Sequence, residues 1–203
     1  MPLRELNSFL FGSRGGMNKA KELARIADEI RRCPLCKRWG KGAPVPGEGN
    51  PDAAIVFVGE APGREEAATG RPFVGRSGRF LRSVMKRAGF APDEAYITSP
   101  VKYLPLRGTP LSGNILHGRT HLLKQLSVID PKIIVLMGGT ACIALLDRKA
   151  SITAEHGSVV RKEDRTFFIT FHPSYAMRFP EGKRAFVADL RKLKRFAGRN
   201  GGR

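Results

Sequence analysis

The sequence predicts an α/β fold of three layers, with helices on both faces of a central, mostly parallel four-stranded twisted sheet. Three observations predict it. The runs Ala54-Ile55-Val56-Phe57-Val58 and Ile133-Ile134-Val135-Leu136-Met137 are apolar throughout, as in strands buried on both faces. Strand-like runs alternate with segments of helical period. Irregular loops follow the strands, on the side where open α/β sheets bind ligands.

The elements follow in order. Residues 1–16 carry no pattern and end at Gly15-Gly16, so they are expected to form a flexible segment before a single domain over residues 17–197. Asn18 is placed to cap a helix running to about Arg32, with Leu23, Ile26, Ala27 and Ile30 on one face. Cys33-Pro34-Leu35-Cys36 and a Gly/Pro loop from Gly40 to Pro51 lead to the first buried strand. That strand runs into the sharp loop Gly59-Glu60-Ala61-Pro62-Gly63. A helix then fits about Ser77 to Ala88, with Phe80, Leu81 and Val84 inward, and Ala95 to Thr98 is a short strand. A helix from His117 to Val128 precedes the second buried strand, and a helix from Thr140 to Leu146 follows it after Gly138-Gly139. Val159-Val160 and Thr166 to Thr170 read as a strand pair around the turn Lys162 to Asp164, and the chain then enters the loop Phe171-His172-Pro173-Ser174. A basic helix from about Lys183 to Phe196, striped by Phe186, Leu190, Leu193 and Phe196, closes the domain, and residues 198–203 are expected to be a basic flexible tail.

Charge narrows the function. The 203 residues hold 36 Lys and Arg against 18 Asp and Glu, a formal net charge of +18. The natural partner of such a chain is a polyanion, and nucleic acid is the commonest. No apolar run approaches the ~18–20 residues of a membrane span, and Phe9-Leu10-Phe11 is too short for a secretory core. Three cysteines cannot build a disulfide framework, so a reducing cytoplasm, at the nucleoid, is the expected location. Lys102, Arg107, Arg119, Lys124 and the Lys183 to Arg195 helix are candidates for a phosphate-binding face.

Gly59-Glu60-Ala61-Pro62-Gly63, then Gly70-Arg71-Pro72-Phe73-Val74-Gly75, and later His172-Pro173-Ser174 resemble the motifs of the uracil-DNA glycosylase superfamily. Within it they are most similar to the iron–sulfur branch usually called family 4. Val45-Pro46-Gly47-Glu48-Gly49-Asn50, Arg76-Ser77-Gly78 and Gln125 support the match, which runs from about Cys33 to Arg178. The resemblance implies a monomeric, monofunctional DNA glycosylase that flips a deaminated base out of DNA, uracil first, and hydrolyses its N-glycosidic bond to leave an abasic site. The residue types suit that chemistry. The base leaves with negative charge while the sugar gains oxocarbenium character, so the site needs a tight pocket and donors aimed at the base oxygen.

By the same resemblance His172 donates to O2 of the departing base. Glu60 positions water or stabilises the oxocarbenium, with Glu65 as the alternative carboxylate. The backbone amides of Glu60 and Ala61 bind the base, and Phe73 stacks beneath it. Ser174 and Arg178 contact the DNA backbone. Met177 is either the wedge that fills the vacated stack or an ordinary core residue.

Two positions depart from the family. An Asn that reads N3–H and O4 of uracil is replaced by Ser99, which shortens the reading group and points to hypoxanthine or xanthine as further substrates, unless a bridging water retains uracil. Of four cysteines that hold a [4Fe–4S] cluster, Cys33 and Cys36 match the first pair, while Tyr103 and about Gly118 occupy the second. Two thiolates cannot hold a cubane alone; His117 and His121 lie near the fourth position and leave a mixed set open. The chemistry itself needs no cofactor. The rival reading is a lesion- or abasic-site-binding relative without turnover.

Overall fold

Asn18 caps α1 (Lys19–Arg32) by accepting the Lys21 amide at 3.0 Å, as its position before an amphipathic run predicts. The structure, a computed structural model, describes residues 18–200; residues 1–17 and 201–203, with the whole of the expected N-terminal segment and the end of the tail, lie outside the described residues. After α1 come α2 (Pro34–Arg38), β1 (Gly40–Lys41), β2 (Glu48–Gly49), β3 (Ile55–Val58), α3 (Arg64–Thr69), α4 (Arg76–Arg87), β4 (Ala95–Thr98) and β5 (Leu104–Pro105). The chain continues through α5 (Ser112–Ile129), β6 (Ile133–Met137), α6 (Gly139–Leu146), α7 (Ile152–Glu155), β7 (Val159–Lys162), β8 (Arg165–Thr170), α8 (Pro173–Arg178) and α9 (Pro180–Asn200).

The main sheet has the order β2-β4-β3-β6-β8-β7. Its four central strands are parallel, and β2 and β7 pair antiparallel at the two edges. The expected four-stranded sheet is thus the parallel core of a six-stranded one. The edges carry weaker signals: β2 is two residues long and β7 alternates exposed and half-buried positions.

Side chains alternate across the parallel strands, so each strand feeds two cores. Val56, Val58, Ile134, Leu136, Phe167 and Ile169 face Ile26, Leu122, Leu126 and Cys142 of α1, α5 and α6. Ile55, Phe57, Ile133, Val135, Met137 and Phe168 face Leu81 and Val84 of α4 and Phe186 and Leu190 of α9. The three-layer expectation holds for this reason. The crossover through α4 carries the chain from β3 to β4 on one face. The crossover through α5 carries it back past β3 to β6 on the other. Strand order therefore reverses at β3, and the C-terminal ends of β3 and β6 form the crevice where such sheets bind ligands.

Three boundaries differ from expectation. Helix α5 begins five residues earlier than the apolar period shows, because its first turn, Ser112-Gly113-Asn114-Ile115-Leu116, is mostly non-periodic. The segment after β8, expected as a loop, is the short helix α8, with Pro173 at its first position and the fixed φ of that residue suited to it. Helix α9 runs from Pro180 through Asn200, so Gly198, Arg199 and Asn200, expected as tail, are helical.

The expected phosphate face needs a larger correction. Lys102 is 1% exposed. Its Nζ donates to Gln125 Oε1 at 2.7 Å, Thr98 Oγ1 at 2.8 Å and Pro46 O at 3.1 Å. Gln125 Nε2 donates to the same Pro46 carbonyl at 2.9 Å. This buried network ties the Val45–Gly47 segment behind the end of β4. Lys102→Met would strip a donor from buried acceptors and is expected to cost about 1–3 kcal/mol in urea unfolding; wild-type stability would contradict the role. Arg119 is paired with Asp147, and Lys124 with Glu29 at 2.6 Å, within the α1/α5 side of the molecule.

Candidate active site

The rim at the strand-order reversal is assembled from the loops after β3, β4, β6 and β8. The Gly59 amide donates to Thr98 O at 2.9 Å, joining the first two. A Cβ on Gly59 would lie 2.6 Å from Phe73 Cζ and 3.9 Å from His172 Nε2. The bare backbone of Gly59 therefore lets the aromatic ring and the imidazole converge on one point. Their ring centroids are 6.1 Å apart.

Phe73 has φ 53°, in the left-handed region that a bulky residue seldom adopts. Local contacts hold it there. Arg82 Nε donates to its carbonyl at 3.3 Å, and Arg82 Nη2 to Pro72 O at 3.2 Å. Arg71 and Arg82 both bind Glu48 at 2.9 Å, fastening this loop to β2, and the Arg71 hydrogen bond is the main reason the Glu48 carboxyl lies below the usual carboxylate range. Gly78 of α4 packs directly under the Phe73 backbone.

His172 is the N-cap of α8. Its Nδ1 accepts the Ser174 amide at 3.3 Å and lies 2.7 Å from Ser174 Oγ. An Nδ1 that accepts leaves the proton of the neutral ring on Nε2, the nitrogen on the Gly59 and Phe73 side. Burial holds the imidazole below its ordinary pKa of 6.5, against the opposing pull of the Glu60 charge. The Glu60 carboxylate accepts from Thr140 Oγ1 at 2.8 Å, across the crevice and in the first turn of α6. Gly138, at φ +91°, passes His172 so closely that a Cβ there would lie 3.1 Å from His172 Cβ.

The structure thus brings Glu60, Phe73 and His172 to one rim, with Ala61 beside Glu60. Ser99 is buried just past the end of β4, and its hydroxyl donates to Val101 O at 2.8 Å. Ser174, Met177 and Arg178 line an open groove of about 230 Å³ with Arg64, Arg76 and Ser77, and Glu65 and Glu66 border it as well. Met177 is partly buried there. Glu65 stands apart from the rim's centre, its carboxylate 2.8 Å from Arg79 on an exposed face. Glu66 is buried and accepts the amides of Gly63 at 3.0 Å and Gly75 at 2.7 Å, locking the first two motif loops together. Sequence reasoning missed Thr140 and the clamp at Glu66. A Gly-Gly-Thr after a strand and an acidic residue three past Gly63 were the available signals.

Cys33 and Cys36 lie away from this rim, at the junction of α1 and α2. A [4Fe–4S] cluster is held by four cysteine thiolates, and the residues here do not supply that set, since among the described residues two thiols stand at this place. Tyr103 is 4% exposed, with its hydroxyl 3.4 Å from the carbonyls of Ile30 and Arg31. Gly118 is pressed on Pro100, whose oxygen would lie 2.0 Å from an added Cβ. The side chains that meet the two thiols are His117 and His121.

A family model described as the Uracil DNA glycosylase superfamily matches residues 46–194. The chain is 37% identical over 192 residues to a Type-4 uracil-DNA glycosylase of Thermotoga maritima, covering 91% of this chain and 100% of that one. It is 36% identical to the Type-4 uracil-DNA glycosylase of Saccharolobus solfataricus, over 83% of each chain. It is 34% identical to that of Sulfurisphaera tokodaii, over 86% of this chain and 84% of the relative.

Proposed function

The chain belongs to the uracil-DNA glycosylase superfamily, and on that premise we propose that Glu60, Phe73 and His172 form the centre of its base-excision site. It acts as a uracil-DNA glycosylase in DNA repair, hydrolysing the N-glycosidic bond. The observation that carries the site is the convergence of His172 Nε2 and the Phe73 ring on Gly59.

A base turned out of the stack lies on Phe73, a contact worth about 1–3 kcal/mol. His172 donates its Nε2 proton in a hydrogen bond to O2 as negative charge gathers on the leaving base. Glu60, fixed from the α6 side by Thr140, faces the cationic sugar and orients the attacking water. The amides of Glu60 and Ala61 add donors to the base. Glu65 is set aside because its carboxylate is engaged by Arg79 on the exposed side.

Ser99 supports a reading of deaminated bases as a class. Its one proton is committed to Val101 O, so toward a base the hydroxyl can only accept. Deamination turns a ring nitrogen from acceptor to N–H donor at N3 in uracil and at N1 in hypoxanthine, and xanthine carries an N1–H as its parent guanine already does. An acceptor at that point favours all three over cytosine and adenine. Ser99→Asn, which restores a donor and an acceptor, is expected to raise the ratio of uracil to hypoxanthine excision; an unchanged ratio detaches Ser99 from base reading.

DNA binds along the groove, with Ser174, Arg64, Arg76 and Arg178 on phosphates and Met177 in the vacated stack. The protein works as a monomer in the cytoplasm, at the nucleoid. Among the described residues no helix is long and apolar enough to cross a membrane.

Alkaline cleavage of a labelled uracil-containing duplex after incubation tests the function. Strand scission at the uracil position is expected; no product with uracil, hypoxanthine or xanthine would leave a lesion binder in its place. The pH profile tests the imidazole. Its pKa is held below 6.5 by burial, so it is neutral above that value and gains its proton only at lower pH. Single-turnover rates are expected to stay flat from pH 6.5 to 8, and an inflection in that window would contradict a neutral donor.

A further inference from the structure

Cys33 caps the junction of α1 and α2 and Cys36 lies in α2, while His117 and His121 come from successive turns of α5. One ligand atom from each of the four lies within 4.8 Å of every other. Cys33 Sγ is 3.0 Å from His117 Nε2, and the Cys36 amide points to Cys33 Sγ at 3.5 Å. His121 is 7% exposed, yet neither of its ring nitrogens has a hydrogen-bond partner. A buried imidazole with both nitrogens unmet is costly unless something absent from the protein chain satisfies one of them.

We propose that Cys33, Cys36, His117 and His121 bind a single Zn²⁺ ion in place of an iron–sulfur cluster. Cys-x₂-Cys with His-x₃-His is a tetrahedral S₂N₂ set, which suits zinc. Bonds of about 2.3 Å to sulfur and 2.0–2.1 Å to nitrogen put the ligand atoms roughly 3.3–3.8 Å apart. To reach that, the wider pairs, up to 4.8 Å apart, draw in, and the Cys33–His117 pair at 3.0 Å opens by roughly half an ångström. A two-iron cluster would set the sulfur pair and the nitrogen pair on different metals with sulfide between them. The 3.0 Å approach of Cys33 to His117 joins a sulfur to a nitrogen and favours one shared centre. With four protein ligands the site is closed, so the ion is structural and pins the α1–α2 junction to α5.

The test is metal analysis of the purified full chain, followed by replacement with Co²⁺. One zinc per chain without acid-labile sulfide is expected, and cobalt should give the intense visible bands of a tetrahedral thiolate site. His121→Ala and Cys36→Ser should each weaken metal binding at least ~10-fold, while Cys142→Ala, which alters a buried thiol of α6, should leave the metal and the cobalt bands in place. Iron with sulfide, a weak octahedral cobalt spectrum, or unchanged affinity in His121→Ala would each overturn the proposal. The wild-type cobalt spectrum decides the matter even if a variant fails to fold.

Discussion

Replacing His172 with Ala is expected to slow single-turnover uracil excision at least ~100-fold, the usual loss when one oxyanion-type donor is removed, with DNA affinity close to wild type. The geometry separates the two quantities. Nε2 faces the Gly59–Phe73 hollow, so it meets the base oxygen. The phosphate-facing groups line the groove along α8 and the start of α4. Alanine also removes the cap of α8, worth about 0.5–2 kcal/mol, and a slow variant could be slow because that helix has frayed. His172→Asn resolves this. Asn is a good N-cap and can still accept the Ser174 amide, but it is too short to reach the hollow. The Asn variant is expected to keep near-native stability and be as slow as Ala. A fast Asn variant would reduce His172 to a cap, and an unchanged rate in both would remove it from the chemistry.

The parts of this molecule that were legible in the sequence are those where one residue property has one structural consequence. Runs apolar at every position could only be central strands, so β3 and β6 were placed within a residue. The loops Gly59–Gly63 and Gly70–Gly75 and the His172-Pro173-Ser174 segment followed as the rim. Lys102 shows where the inference fails. Charge predicts a surface position, but a lysine four residues beyond the end of the buried strand β4 instead reaches back to three oxygens inside. Helix α8 was hidden because six residues, opening Pro-Ser, are too few to show a period. His117 and His121 carried a readable spacing, one turn apart on α5, which left a mixed set open; that both meet Cys33 and Cys36 depends on the packing of α5 against α2, which the spacing does not encode. The tautomer of His172 and the Glu60–Thr140 bond depend on contacts between distant loops, which no local pattern encodes.

Gly78→Ala puts helix propensity and steric fit in direct opposition. In an open helix position the change from Gly to Ala gains up to about 1 kcal/mol. At Gly78, in the first turn of α4, the new Cβ would lie 2.0 Å from both C and O of Phe73 and 2.4 Å from its Cα. Those are backbone atoms, already in the left-handed region and held through the Arg82 bonds to the Phe73 and Pro72 carbonyls. Neither side can yield by rotating a side chain, so α4 or the Phe73 loop must move. Overpacking of this kind costs typically ~1–3 kcal/mol and occasionally more, which exceeds the propensity gain. The variant is therefore expected to be less stable in urea and, because the displaced element carries the stacking ring, to lose at least ~10-fold in uracil excision from a contact worth ~1–3 kcal/mol. Gly198→Ala in α9 is the control: nothing lies within 4 Å of its added Cβ, so the same substitution is expected to be neutral or stabilising. A Gly78→Ala protein as stable and as active as wild type would mean that Phe73 is not held against α4, and would take the stacking floor out of the site.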